Sequence, residues 1–181
     1  TGATFRAMQL NLLGDPALAG QFAFNPNFTA GFTPTGAVNG ATDVPTGKLM
    51  VPVEGVKYSQ LTDTYNAPRG TERHHEALDI MAPKGAKVFA AAEGKVVKLF
   101  NSKPGGLTVY QFDPSEKYAY YYAHLDRYAE GIKEGDVLKR GDLVGYVGVT
   151  GNSNPDGPHL HFAVVALTPE KQWWKGTPVN P

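Results

Sequence analysis

The sequence predicts an all-β domain, with a compact and mainly antiparallel sheet core, preceded by an irregular N-terminal arm. Three observations predict it. The composition is turn-rich, with 21 Gly and 14 Pro in 181 residues. Short apolar runs rich in Val, Ile, Tyr and Phe follow one another, each closed by a Gly, Pro, Asn or Asp signal. The texture also changes abruptly near Lys48, where strand-like runs begin.

Residues 1–47 form the arm. Their only charged residues are Arg6, Asp15 and Asp43. Leu10, Leu12 and Leu13 fit a short helix ended by Gly14-Asp15-Pro16, and no sustained period follows. Two descriptions suit this segment. One is a linker. The other is an arm that docks through Phe5, Phe22, Phe24, Phe28 and Phe32, because exposed aromatics are uncommon in a solvated linker.

The domain is expected over 48–181. Leu49 to Val53 reads as a first strand or edge segment, and Asn66-Ala-Pro-Arg-Gly70 as a turn. Strands are expected at Ala77–Met81, Ala86–Ala92, Lys95–Phe100 and Leu107–Phe112. Asp113 to Lys117 is a hairpin-like turn before the strand Tyr118–His124. Gly135-Asp136 and Gly141-Asp142 are two turns, and Leu143–Val149 is a further strand. Gly151 to Gly157 reads as a loop feeding a buried strand that runs from Phe162 to Leu167. The segment with Trp173-Trp174 and Thr177–Pro181 is expected to pack on the outside.

Several function classes are excluded. Seventeen basic residues balance seventeen acidic ones, so no basic excess exists to neutralise nucleic-acid phosphates. With no cysteine there is no disulfide, thiolate metal site or cysteine nucleophile. No apolar run is long enough to cross a membrane. The chain starts at Thr1 with no visible signal peptide, which suggests a processed product.

Chemistry concentrates in five histidines: His74, His75, His124, His159 and His161. His159 and His161 share one face of an extended segment, and so do His75 and Asp79. His124 ends the tyrosine-rich strand. Imidazoles and a carboxylate at strand ends suit a zinc site, and three protein ligands leave a fourth position for water, as in catalytic zinc.

The motifs Arg73-x-His75-x-x-x-Asp79-Ile80, Tyr122-Ala-His124-Leu125, and Gly151-Asn152 through Pro158-His-Leu-His-Phe162 resemble the LytM/lysostaphin-type zinc metalloendopeptidases of bacterial cell walls. The resemblance covers about residues 49–181, with three motifs in the family's order. It implies an antiparallel β core with a substrate groove across it. It implies Zn2+ as cofactor, His75, Asp79 and His161 as its ligands, and His124 and His159 as the two catalytic histidines. Arg73 and Tyr122 fall beside the motifs and are expected to shape the site, while His74 matches nothing and is expected to be an exposed neighbour. Ala77 stands where many members have Gly, and Ala163 where many have Glu. Neither departure removes a ligand.

The resemblance further implies peptidoglycan peptides as substrate and a periplasmic, cell-envelope or secreted bacterial location. D-alanyl-diaminopimelate cross-links are the expected bond. Strand alternation places Tyr120 and Tyr122 on one face, and Tyr122, two residues before His124, is the tyrosine expected to touch substrate. The loop that begins at Asn152 is expected to form a groove rim, with Asn152 in contact with substrate. A different reading is a non-catalytic relative that binds cell wall or regulates an amidase, but such relatives are expected to lose ligands. Gly135 to Gly145 also resembles a lipoyl-carrier hairpin, which needs a lysine at its tip and would leave the histidines idle.

Overall fold

The computed structural model describes residues 49–70 and 73–181. Residues 1–47, where the sequence suggests an arm with a short helix and docking phenylalanines, lie outside the described residues. The regular structure among the described residues is nearly all strand: β1 (Leu78–Met81), β2 (Lys87–Phe89), β3 (Gly94–Ser102), β4 (Gly106–Phe112), β5 (Tyr118–Tyr128), β6 (Val137–Leu138), β7 (Leu143–Val147), β8 (His159–Leu167) and β9 (Gly176–Val179). One 3-10 turn, Tyr58–Gln60, precedes the strands.

All nine strands join one antiparallel sheet, ordered β1-β8-β5-β4-β3-β6, with β9 also on β8 and β7 bridging β2 and β5. Consecutive β2 and β3 are not partners. β2 pairs with β7, while β3 pairs with β4 and β6. Leu49 to Val53 makes one isolated bridge, Val53 to Val88, rather than a strand. β6 and β9 were not anticipated as strands; each is short, and β9 contains Pro178, which suits an edge position.

β5 organises the sheet because it has eleven residues and three partners. One edge pairs with β4. The other pairs with β8 over Tyr118–Ala123 and then with β7 over Leu125–Tyr128. His124 sits at this handover. It is also the site of a β-bulge: Leu125 pairs with Leu107 and Tyr122 with Val109, so Ala123 and His124 oppose Thr108 alone. His124 takes φ +61°, rare for a side chain larger than Gly.

The curled sheet encloses Val88, Val96, Val109, Tyr120, Tyr122, Leu125, Val144, Val147, Leu160 and Phe162. Burying such side chains contributes about 1.5–3 kcal/mol each. The opposite face of β5 and β8 carries Tyr121, Ala123 and Ala163, with Ala77 packed against them. Trp173 covers part of this face, packing on Phe100 and Tyr110 with ring centroids 5.4 and 4.7 Å away. The tryptophan therefore has a packing role.

Candidate metal and active site

Alternation along β1 and β8 turns Asp79 and His161 to the same face, and the strands are in register at Asp79–His161. His75 precedes β1. Its backbone N–H donates to Ala67 O at 2.8 Å, which fixes the approach. Three donor atoms converge as a result. His75 Nε2 lies 2.9 Å from Asp79 Oδ1 and 3.0 Å from His161 Nδ1, and His161 Nδ1 lies 3.1 Å from Asp79 Oδ1.

The donor set fits a metal ion. His75 Nδ1 lies 3.2 Å from the Thr64 carbonyl, an acceptor, so the ring carries its hydrogen there and turns the Nε2 lone pair inward. That lone pair meets a carboxylate oxygen and a second imidazole nitrogen. A metal cation held between these atoms would satisfy all three at once. Two imidazoles and one carboxylate suit zinc, whose bonds of about 2.0–2.1 Å set tetrahedral donor atoms roughly 3.3 Å apart. His75, Asp79 and His161 thus form a cluster able to hold a metal.

Electrostatics agree. Burial by itself would raise the Asp79 pKa, but the bonds and charges of His161 and His75 hold it well below the usual carboxylate range. Burial lowers the pKa of His161, partly offset by Asp79. Both shifts favour the deprotonated forms that ligate metal.

His124 and His159 stand beside this cluster. Their ring centroids are 5.1 Å apart, and His124 is 5.7 Å from His161. Both Nδ1 atoms are pinned by carbonyls, His124 by Thr150 O and His159 by Gly157 O, each at 2.8 Å. Each ring therefore carries its hydrogen on Nδ1 and offers an Nε2 lone pair. His159 Nε2 lies 3.6 Å from Asp79 Oδ1. Burial, and next the charge of His161, push the His124 pKa down to about 4, so this ring is neutral at neutral pH. In metal-free protein the unfolded chain binds this proton near 6.5 and the folded chain only near 4. The unfolded state then holds more protons across that interval, so stability falls as pH drops from about 6.5 toward 4. Denaturant titrations in chelator at pH 7 and pH 5 are expected to show a smaller loss for His124→Gln than for the parent protein.

A groove of about 560 Å3 runs over the cluster, lined by Arg69, Arg73, Tyr121, Asn152, Asn154 and the four groove histidines among others. Arg73 and Asn152 are exposed on its rims, and His74 is exposed outside it.

Tyr122 is a correction. It is fully buried in the core, not in the groove. Its hydroxyl donates to Gln111 Oε1 and accepts from Ala91 N–H, both at 2.9 Å, so it ties β5 to β4 and to the segment after β2. The reason is the bulge. Strict alternation would put Tyr122 and His124 together, but the extra residue turns His124 onto the face of Tyr121 and Ala123. Tyr121 is the tyrosine at the groove, its ring centroid 5.9 Å from His161.

Three further residues were missed. Arg69 Nη2 binds the outer oxygen of Asp79 at 2.9 Å, leaving Oδ1 for the cluster. Arg69→Gln is expected to weaken zinc binding about 10–100-fold, the usual cost of losing such a partner, checked by competition with a chromogenic chelator. Thr64 accepts the Asp79 N–H at 2.9 Å and donates to Ala77 O at 3.1 Å. Thr150 orients His124 through its carbonyl, and its hydroxyl donates to Leu125 O and accepts the Leu107 N–H. Gly106 and Gly151 make this node possible: a Cβ on Gly151 would lie 2.4 Å from Gly106 N, and one on Gly106 only 2.2 Å from Thr150 Oγ1. A Thr-Gly pair before a loop is too common in sequence to flag such a role.

A family model described as peptidase family M23 matches residues 73–181. The chain belongs to peptidase family M23. Its M23 domain is 32% identical over 113 residues to peptidoglycan DD-endopeptidase ShyB of Vibrio cholerae, covering 60% of this chain and 25% of that protein. It is 32% identical over 109 residues to the L-Ala–D-Glu endopeptidase of Bacillus subtilis, covering 58% and 33%. The crystal structure of a zinc-containing peptidase from Vibrio cholerae superposes with a TM-score of 0.53 at 28% identity, covering 71% of this chain and 37% of that one. The chain thus spans a third or less of the length of these two curated relatives. M23 membership leaves no place for the lipoyl-carrier reading. β6 and β7, which follow the two Gly-Asp turns, do not pair with each other.

Proposed function

We propose that this domain is a zinc-dependent endopeptidase that hydrolyses peptide bonds in the stem peptides or cross-links of bacterial peptidoglycan. One observation carries the proposal: three metal-competent donors and two Nε2-presenting histidines meet on one groove wall. Zinc bound by His75, Asp79 and His161 would supply Lewis acidity and water acidified toward a pKa of about 7.

The chain's own residues supply the rest. His124, neutral and held by Thr150, accepts the proton of the attacking water at Nε2. His124 then returns that proton to the departing amine nitrogen, while His159, held by Gly157 and facing the same groove, presents its Nε2 lone pair to orient the attacking water. Tyr121 and the Pro104-Gly105 backbone wall the groove and limit water. Arg69 keeps Asp79 turned toward the ligand cluster.

M23 relatives named as peptidoglycan endopeptidases support this substrate. They also favour a site of action outside the cytoplasm, in the periplasm or cell envelope. No helix among the described residues is long and apolar enough to cross a membrane. A non-catalytic, wall-binding role is disfavoured because all five chemical positions are filled. Digestion of purified sacculi by zinc-loaded protein, with mass spectrometry of the products, tests the proposal. Release of muropeptides with new amine termini is the expected result, and their masses assign the bond. Intact sacculi under full zinc loading would overturn it.

A further inference from the structure

Two of the three donors of the cluster, His75 and Asp79, are held from outside by Thr64. Its hydroxyl accepts the Asp79 N–H at 2.9 Å and donates to Ala77 O at 3.1 Å. Its carbonyl lies 3.2 Å from His75 Nδ1 and draws the ring's hydrogen there. How well the donors converge therefore depends on how firmly Thr64 is placed.

Thr64 belongs to no strand. Its two chain neighbours place it, and both are tied to the segment that contains β9. The hydroxyl of half-buried Tyr65 donates to Pro178 O at 3.0 Å. Asn180 Nδ2 donates to Asp63 Oδ2 at 3.3 Å, and Asp63 Oδ1 accepts the Tyr65 N–H at 2.9 Å. The Tyr65 carbonyl in turn accepts the Glu76 N–H at 2.8 Å. Glu76 links His75 to β1 and takes φ +59°, a left-handed conformation that is costly for a residue with a Cβ and persists only where its surroundings hold it. Tyr65 thus grips the ligand segment twice, through its backbone at Glu76 and through its chain bond to Thr64.

The sheet explains why β9 reaches this loop. β1 and β9 lie end to end on one edge of β8, β1 along His159–Phe162 and β9 along Val164–Leu167, while β5 takes the other edge. β9 runs antiparallel to β8, so its Val179 end points at the start of β1, where the ligand segment begins.

We propose that Tyr65 is a positioning residue for the metal site, transmitting the hold of β9 through Thr64 and Glu76 to His75 and Asp79. It does not line the groove. The inference rests on the ligand assignment and adds a determinant of metal affinity outside the groove. Tyr65→Phe keeps the ring and removes only the oxygen that reaches Pro178. The loop is then held less firmly, while the buried core, of which Tyr65 is no part, is untouched.

Cobalt(II) tests this, because its visible absorption reports ligand number and geometry with no substrate present. Metal-free parent, Tyr65→Phe and Tyr128→Phe proteins are titrated with cobalt, and dissociation constants and spectra are compared. Tyr128→Phe is the control for a general loss of stability: its hydroxyl donates to Phe100 O at 2.9 Å, and it too lies outside the groove lining. Tyr65→Phe is expected to bind cobalt about fivefold more weakly, the equivalent of one ordinary hydrogen bond, with altered absorption intensity. Tyr128→Phe is expected to bind cobalt like the parent even where its Tm falls. Parent-like affinity and spectrum in Tyr65→Phe, or an equal loss in Tyr128→Phe, overturns the inference and leaves the ligand assignment standing. A parent protein that binds no cobalt overturns both.

Discussion

Replacing Asp79 with alanine is expected to cost the protein its metal and its activity together. Asp79 Oδ1 lies within 3.1 Å of both His75 Nε2 and His161 Nδ1, so it closes the donor triangle. Its removal leaves two imidazoles, below the three protein ligands that catalytic zinc sites use. Zinc affinity should fall by more than the roughly 100-fold that marks the loss of an outer partner. Dialysed Asp79→Ala protein should show almost no zinc by atomic absorption and no amine release. His161→Ala should behave alike. Asp79 lies on β1, whose Leu78 and Ile80 provide the packing, so the fold should survive and the circular dichroism should match the parent. Zinc retained near one per chain in Asp79→Ala would refute the ligand assignment.

The second large effect separates chemistry from binding. His159→Ala should keep zinc at the level of the parent protein and lose about 10²–10⁴-fold in kcat, the range for removing a group that serves general acid–base catalysis. The His159 side chain bonds the Gly157 carbonyl and is partly exposed, so truncation disturbs little else. His124 needs more care, because it is buried and sits at φ +61°. Asparagine tolerates that backbone better than alanine, which makes His124→Asn the sounder variant. It too should hold zinc and fail to hydrolyse. Loss of zinc from either variant would place that histidine among the ligands.

Much of this centre was legible in the sequence because β geometry is periodic. Period-2 alternation puts His159 with His161 and aligns Asp79 with them once β1 pairs with β8. The strand cores and most turns were legible for the same reason. What was not legible depends on a broken period. A bulge inserts one residue at His124 and reverses the face of everything beyond it, so Tyr122 moves from groove to core and Tyr121 takes its place. No local composition announces that bulge, which lies where β5 passes from β8 to β7 on its other edge. Arg69, Thr64 and Thr150 were missed for a different reason. They act through single hydrogen bonds to ligands or to backbone, and such bonds exist only after distant segments meet. β2 and β3 were adjacent in sequence yet not partners, because Ala90 and Ala91 between them are buried in the core rather than forming a hairpin turn.

Zinc titration against hydrolysis tests the central claim most directly. Metal-free protein is supplied with increasing zinc, and amine release from purified peptidoglycan is measured on each sample. The account predicts no release without metal, a rise that saturates at about one zinc per chain, and loss of the signal on adding chelator. Hydrolysis by metal-free protein, or a fully loaded protein that releases no amine, would contradict it.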